Sequence, residues 1–287
     1  HSFCNCTSIL PPLGIPFPEQ YTPKHSERLE FVPQDFIDWF CSLEHAQLLP
    51  PQYRVEQWQL PLKRSFAILR SIQAGYKCIL LVDDDIIVPE RSVIDNARAL
   101  MSDFACVSCP ATDFPDMSTV DHIATKVGVA EEVFLSGACL FIDVEQGPPF
   151  FPQIYNEDWL FFMMLGSESI ACAGISKQTP YNPFTEQRIV FQEWGDLFAA
   201  SCLTHSPDAS AQLQSKNFWR SRILERREYL TDLKTRTRAY CPNANYATLL
   251  DSALAQLERL DEAWCVAFQA ALAADLPRWQ ELLLTAQ

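Results

Sequence analysis

The feature that most constrains this chain is a short hydrophobic run that ends in three carboxylates: Cys78-Ile79-Leu80-Leu81-Val82 followed by Asp83-Asp84-Asp85. Five consecutive apolar residues, rich in branched side chains and preceded by Gly75, have the length and composition of a strand buried on both faces. Such a strand belongs to a helix-covered sheet, and in open α/β sheets ligands bind beyond the carboxyl ends of the strands. Three adjacent anions there repel one another, so the arrangement is costly unless a cation or strong donors meet them.

The surrounding pattern predicts the same class. Residues 63–75 read as a helix that stops at Gly75, residues 76–82 as the strand, residues 90–102 as a second helix and residues 104–109 as a second strand. That alternation predicts an α/β fold with a mostly parallel sheet covered by helices. A third strand is expected over residues 133–142, interrupted at Ser136-Gly137-Ala138, where a ligand or another backbone approaches closely. A helix is expected from Asn156, the candidate N-cap, to Leu165, with Glu157 and Asp158 in its first turn. Residues 35–48 are helically spaced, and residues 3–10 offer a candidate first strand in a Pro-rich start.

Beyond about residue 207 the chain becomes helical throughout. Residues 210–238 and 246–273 are predicted as two long helices, the second closed by Asp275-Leu276-Pro277 and carrying Leu250, Leu254, Leu257, Trp264 and Phe268 near one face. The expected division is a catalytic domain over residues 1–206 and a helical extension over 207–287. The apolar stripe is expected to pack within the chain; a homo-oligomer through these helices is the other use for it.

Composition narrows the function. A formal charge of −14 argues against nucleic acid as partner, because phosphate contacts need a surplus of Lys and Arg. A phosphorylated small ligand remains compatible, since a bound metal supplies positive charge locally. No apolar run approaches the ~20 residues of a membrane span, and no secretory leader is read at the N-terminus. Eleven cysteines, an odd number scattered through apolar segments, are expected as reduced core thiols of a cytoplasmic protein. Cys4-x-Cys6 and Cys106-x-x-Cys109 lack the second pair that a zinc site requires. There is no Gly-x-Ser-x-Gly, no phosphate loop and no Gly-x-Gly-x-x-Gly.

With the strand and its Asp83-x-Asp85, the chain resembles the GT-A nucleotide-sugar glycosyltransferases, family 2-like. The resemblance extends to the helix at residues 63–75, to Phe134-Leu135-Ser136-Gly137-Ala138, similar to the strand lining the donor-sugar pocket, and to Phe151-Pro152-Gln153-Ile154-Tyr155-Asn156-Glu157-Asp158-Trp159, similar to the acceptor-side Glu-Asp segment. It covers roughly residues 60–205 and implies glycosyl transfer from a nucleoside-diphosphate sugar, UDP- in preference to GDP-, to a hydroxyl acceptor, with Mn²⁺ or Mg²⁺ and preferably with inversion. Asp83 would then contact the nucleoside, Asp84 would lie beside it, and Asp85 would ligate the metal with His205 as a further ligand. Gly137 and Ala138 would line the donor pocket, Arg64 (or Arg70) would reach the diphosphate, and Asp158, or failing that Glu157, would serve as base. Trp194, in Gln192-Glu193-Trp194-Gly195-Asp196, is either an acceptor-pocket wall or core.

Two alternatives are weaker. A sugar nucleotidyltransferase shares the sheet and carboxylates but carries a Gly-rich N-terminal loop, whereas Gly14 is the sole glycine before Gly75. A Mg²⁺-binding receiver-type signalling module needs an Asp ending a later strand, and residues 123–130 contain none.

Overall fold

The computed structural model describes residues 32–87, 89–112, 114, 116–129, 135–203 and 212–286. The candidate strand at residues 3–10, Cys4, Cys6 and His205 lie outside the described residues.

The fold is α/β. Helix α1 (Gln34–Cys41) and the single turn α2 (Glu44–Gln47) lead into α3 (Leu60–Gln73), whose Pro61 occupies the first turn, where a missing N–H costs nothing. Gly75 ends α3 at φ +73°: its N–H donates to Ile72 O and that of Tyr76 to Ser71 O, both at 2.9 Å, which satisfies two terminal carbonyls. Strand β1 (Cys78–Val82) follows, then β2 (Ile86–Ile87), α4 (Arg91–Leu100), β3 (Cys106–Ser108), α5 (Thr119–Lys126), β4 (Cys139–Asp143), α6 (Glu157–Leu165), β5 (Ile170–Cys172), β6 (Lys177–Gln178) and α7 (Glu186–Leu203).

The main sheet has the order β1-β4-β3-β5, and β2 pairs with β6 in a separate antiparallel ribbon. Strands β1, β3 and β5 run the same way, as the strand–helix alternation predicts, but β4 inserts antiparallel between β1 and β3. The sheet is therefore mixed, with two of its three ladders antiparallel, rather than the mostly parallel one expected. The sequence of β1 is continuously apolar because both its faces are covered. Ile79 and Leu81 join Leu140 and Ile142 of β4 in one core; Leu80 and Val82 join Cys139, Phe141 and the α4 residues Ile94 and Ala97 in the other. Cys106 and Cys109 are buried, free thiols of these cores.

The C-terminal region is helical, as expected, but divided differently. It comprises α8 (Lys216–Tyr240), α9 (Tyr246–Leu257) and α10 (Glu262–Ala286). The predicted helix over 246–273 is two helices, because Asp261 starts a new one: its Oδ1 accepts from Trp264 N–H at 2.7 Å. Pro277 does not stop α10, which runs through it because Trp279 and Leu283 beyond it are buried. The stripe residues Leu250, Leu257 and Phe268 are fully buried, in the same core as α1, α3 and β1. At the seam, Asp275 of α10 accepts from the N–H groups of Glu44 (2.8 Å) and His45 (2.9 Å) and pairs with His45 Nδ1 at 2.7 Å, while His45 Nε2 accepts from Gln153 N–H at 3.1 Å. No described helix is long and apolar enough to cross a membrane.

Candidate functional site

Register builds the site. Pairing Val82 with Cys139 carries the next residue, Asp83, alongside Ala138, whose carbonyl accepts from Asp83 N–H at 2.9 Å. The turn at residues 137–138 is thereby fixed against the Asp triplet. Helix α3 lies beneath and sends Arg64 upward, 2 % exposed, into the gap. Its Nη2 donates to both oxygens of Asp83 at 2.8 Å and its Nη1 to Glu157 Oε1 at 2.8 Å. Asp158 accepts from Gly137 N–H at 2.7 Å and from Trp159 N–H at 2.9 Å. Gly137 is required by space: a Cβ there would lie 2.6 Å from Asp158 Cβ and 2.8 Å from Arg64 Nη1. Of the expected strand over 133–142, residues 133–134 lie outside the described residues, residues 135–138 turn to make these contacts, and the strand runs from Cys139.

Above this floor opens a cleft of about 350 Å³, walled by Trp58, Tyr155, Trp159, Tyr181 and Phe191. That size and mixed lining are those of a small-molecule site. Asp83, Asp85, Glu157 and Asp158 all face it, together with Asp116. Asp84 is exposed and does not line the cleft, as the alternation of side chains beyond a strand would have it. Ala138 is buried and contributes its backbone. Arg64 is committed to carboxylates, with only its Nε lacking a hydrogen-bond partner among the described residues. Arg70 is exposed on the far side of α3, bonded to Gln73. Trp194 belongs to the core, its Nε1 donating to Gln256 O and its ring packed against Tyr53 and Trp264.

Electrostatically the floor is one guanidinium among several acids. Burial opposes the charge on Arg64, but Asp83, Glu157 and Asp158 outweigh it and hold the group protonated far above the usual range. Burial likewise raises the Asp83 and Asp158 carboxyls against the pull of Arg64. Glu157 is raised most informatively, to about 8, by burial and then by Asp158 and Asp83, despite its bond to Arg64. One cation cannot neutralise three buried anions; Asp83 takes two of its bonds, and Glu157, with one, retains a proton into the neutral range. Lost hydration, then Asp158 and Asp83, also raise Asp116, although its exposure to cleft water moderates the first effect.

Sequence reasoning missed Asp116 and Gln178 as site residues, and marked Ser136 only as part of the interruption at residues 136–138. Ser136 Oγ donates to Asp116 Oδ2 at 2.8 Å and accepts from Ala138 N–H at 3.1 Å, and Gln178 Nε2 donates to Asp85 Oδ2 at 2.8 Å. A second buried charge network backs the cleft. Arg226 of α8 binds Glu193 at 2.8 Å and Asp196 at 2.9 Å, and Asp196 accepts from the side chain of Asn156. Asn156 stands at the N-cap of α6, as expected, but in the left-handed region at φ +62° and with its side chain turned to Asp196 instead of capping the helix.

Among the described residues no cluster of three or more His, Cys, Asp and Glu side chains is arranged to hold a metal ion. The donor chemistry still suits a hard cation that brings its own oxygens: Mg²⁺ and Mn²⁺ commonly take one or two carboxylates and complete their shell from phosphate and water. Asp85 is the cleft carboxylate at the Asp turn that Arg64 does not engage. Compared with protein-family models, with curated proteins and with solved structures, the chain finds no match in any of the three.

Proposed function

We propose that the cleft is the donor and acceptor site of a GT-A type glycosyltransferase, which moves a sugar from a nucleoside-diphosphate donor, UDP- in preference to GDP-, to a hydroxyl acceptor. One observation carries the reading. Residues singled out separately as donor-side (Asp83, Asp85) and acceptor-side (Glu157, Asp158), more than seventy positions apart, face one cleft; Arg64 bridges Asp83 to Glu157, and Gly137, behind the cleft wall, donates its N–H to Asp158.

Asp85 would hold the Mn²⁺ or Mg²⁺, which supplies neutralisation of the charge that develops on the nucleoside-diphosphate leaving group. The chain's own residues do the rest. Arg64 pins Asp83 and Glu157, so the donor-side and acceptor-side carboxylates keep a fixed separation. The aromatic walls offer flat apolar faces to a sugar or a base. A carboxylate made more basic by burial is suited to take the proton of an attacking hydroxyl, which favours Asp158; Glu157, raised to about 8, can serve only after losing its own proton. That role accords with inversion. Buried free thiols such as Cys106, Cys109 and Cys139 accord with a reducing compartment, the cytoplasm in this reading.

The test is a thermal-shift panel of UDP, GDP, CDP and their sugars, each with and without Mn²⁺. Binding at a hundredfold excess over Kd adds about 2.7 kcal/mol. The reading expects stabilisation by one nucleotide that depends on metal and is lost in Asp85→Ala. No response anywhere in the panel overturns it. A pyrophosphate product from a sugar 1-phosphate and a nucleoside triphosphate would instead establish the nucleotidyltransferase alternative.

A further inference from the structure

The ribbon beside the Asp turn carries an oxygen with no hydrogen-bond partner among the described residues. Thr179 N–H donates to Asp85 O at 2.8 Å and Ile86 pairs with Gln178, which together fix the Gln178 side chain next to the Asp85 carboxylate. The amide nitrogen donates to Asp85 Oδ2 at 2.8 Å. A carboxylate accepts, so this contact sets which end of the amide bonds Asp85 and leaves the amide oxygen for another partner. Gln178 is 6 % exposed and lines the cleft, and its Oε1 is buried without a hydrogen-bond partner among the described residues. Buried acceptors are almost always satisfied, and an unsatisfied one on a residue that lines a binding cleft points to a partner the cleft receives.

The surroundings say what that is. Asp83, Asp85, Asp116, Glu157 and Asp158 face the same cleft, against the charges of Arg64, Lys63 and Arg188. Arg64 is bound to Asp83 and Glu157, and Arg188 lies over the Tyr181 ring. An amide oxygen next to a carboxylate is a hard, oxygen-only donor pair of the kind Mg²⁺ and Mn²⁺ prefer. Being neutral, the amide adds a ligand without adding to the repulsion among the acids, which a fourth carboxylate at the turn would do.

We propose that Gln178 supplies a neutral oxygen ligand, beside Asp85, to the divalent cation of the donor site. The proposal rests on the glycosyl-transfer reading. It differs from a merely positional role for Gln178, in which the amide only steadies Asp85 through its N–H.

The experiment titrates Mn²⁺ into the full chain and follows the loss of the free-ion electron paramagnetic resonance signal, with and without UDP. Wild type, Gln178→Leu, Gln178→Glu and the control Asp85→Asn are compared. The proposal expects Gln178→Leu to weaken Mn²⁺ binding about tenfold, a typical cost for disturbing a metal's surroundings. It expects Gln178→Glu, which keeps an oxygen at the same place and adds charge, to bind Mn²⁺ more tightly than wild type. If both variants weaken binding alike, the N–H to Asp85 is all that matters and the proposal is overturned. Wild-type affinity in Gln178→Leu overturns it too, while loss in Asp85→Asn alone leaves the glycosyl-transfer reading standing. Absence of any Mn²⁺ binding by the wild-type chain, with or without UDP, removes this proposal and the metal-dependent reading together. Should Gln178→Leu not fold, the sign of the change in Gln178→Glu decides.

Discussion

Arg64 holds the floor of the cleft, and removing it exposes how much the site depends on a single side chain. Arg64→Met leaves Asp83 and Glu157 buried without their cation; the expected loss is about 3–5 kcal/mol, read from urea unfolding at neutral pH. Lowering the pH should recover part of it, because the stranded carboxyls can then take up protons. The wild type should show a related dependence. Glu157 has an ordinary value near 4.5 and a folded value of about 8. Between these values the folded chain holds a proton that the unfolded chain has released, so stability falls as pH rises through that window. Glu157→Gln should flatten the fall without abolishing it, since Asp83 and Asp158 are raised in the same direction; unfolding curves collected from pH 5 to pH 8.5 check both slopes. An unchanged slope in Glu157→Gln would show that the surplus proton resides elsewhere. Gly137→Ala tests the packing: its new methyl meets Asp158 and Arg64 at less than 3 Å, and about 1–3 kcal/mol of strain is expected.

Helices α6 and α7 meet as closely as the side chains allow. A Cβ at Gly195 would lie 2.0 Å from Tyr155 O, so α7 rests directly on the backbone that turns into the Glu157-Asp158 helix. Asn156 makes that turn in the left-handed region, which glycine adopts freely and alanine does not. Asn156→Ala should therefore cost more stability, by about 1 kcal/mol, than Asn156→Gly, even though both remove the bond to Asp196; equal losses would assign the whole effect to that bond. Elements of this kind set the limit on what the sequence discloses. Strand β1 and Asp83-x-Asp85 were legible because hydrophobic run, strand length and carboxylates are contiguous. Glu157 and Asp158 were legible as a first helical turn. Asp116 and Gln178 were not, because each is an isolated polar residue whose meaning comes only from strand register and the small β2–β6 ribbon. The antiparallel insertion of β4 was hidden for the same reason: its apolar run carries no mark of direction. The break between α9 and α10 did carry a signal, Asp261 three residues before Trp264, whereas Pro277 pointed to a stop that burial of Trp279 overrides.

Across the whole molecule, the larger of the two cores spans the expected boundary between a catalytic domain and a helical extension. Trp219, Phe268 and Trp279 of α8 and α10 are buried in the same cluster as Phe40, Leu81 and Phe161. A chain ending at residue 206 should fail to give a soluble, cooperatively unfolding protein, and the full chain should unfold in one transition by both fluorescence and circular dichroism. Two separated transitions would support the division at residue 206. Arg226 makes the same connection in charge, reaching from α8 to the acids behind Asn156. The contact between His45 and Asp275 has a use of its own. Because Nε2 accepts from Gln153 N–H, the imidazole proton resides on Nδ1 and points at a buried carboxylate. Shielded from water and strongly hydrogen-bonded, that proton should resonate well downfield of the amide envelope and exchange slowly with deuterium. It is a single-atom beacon for the docking of the last helix, visible without any label.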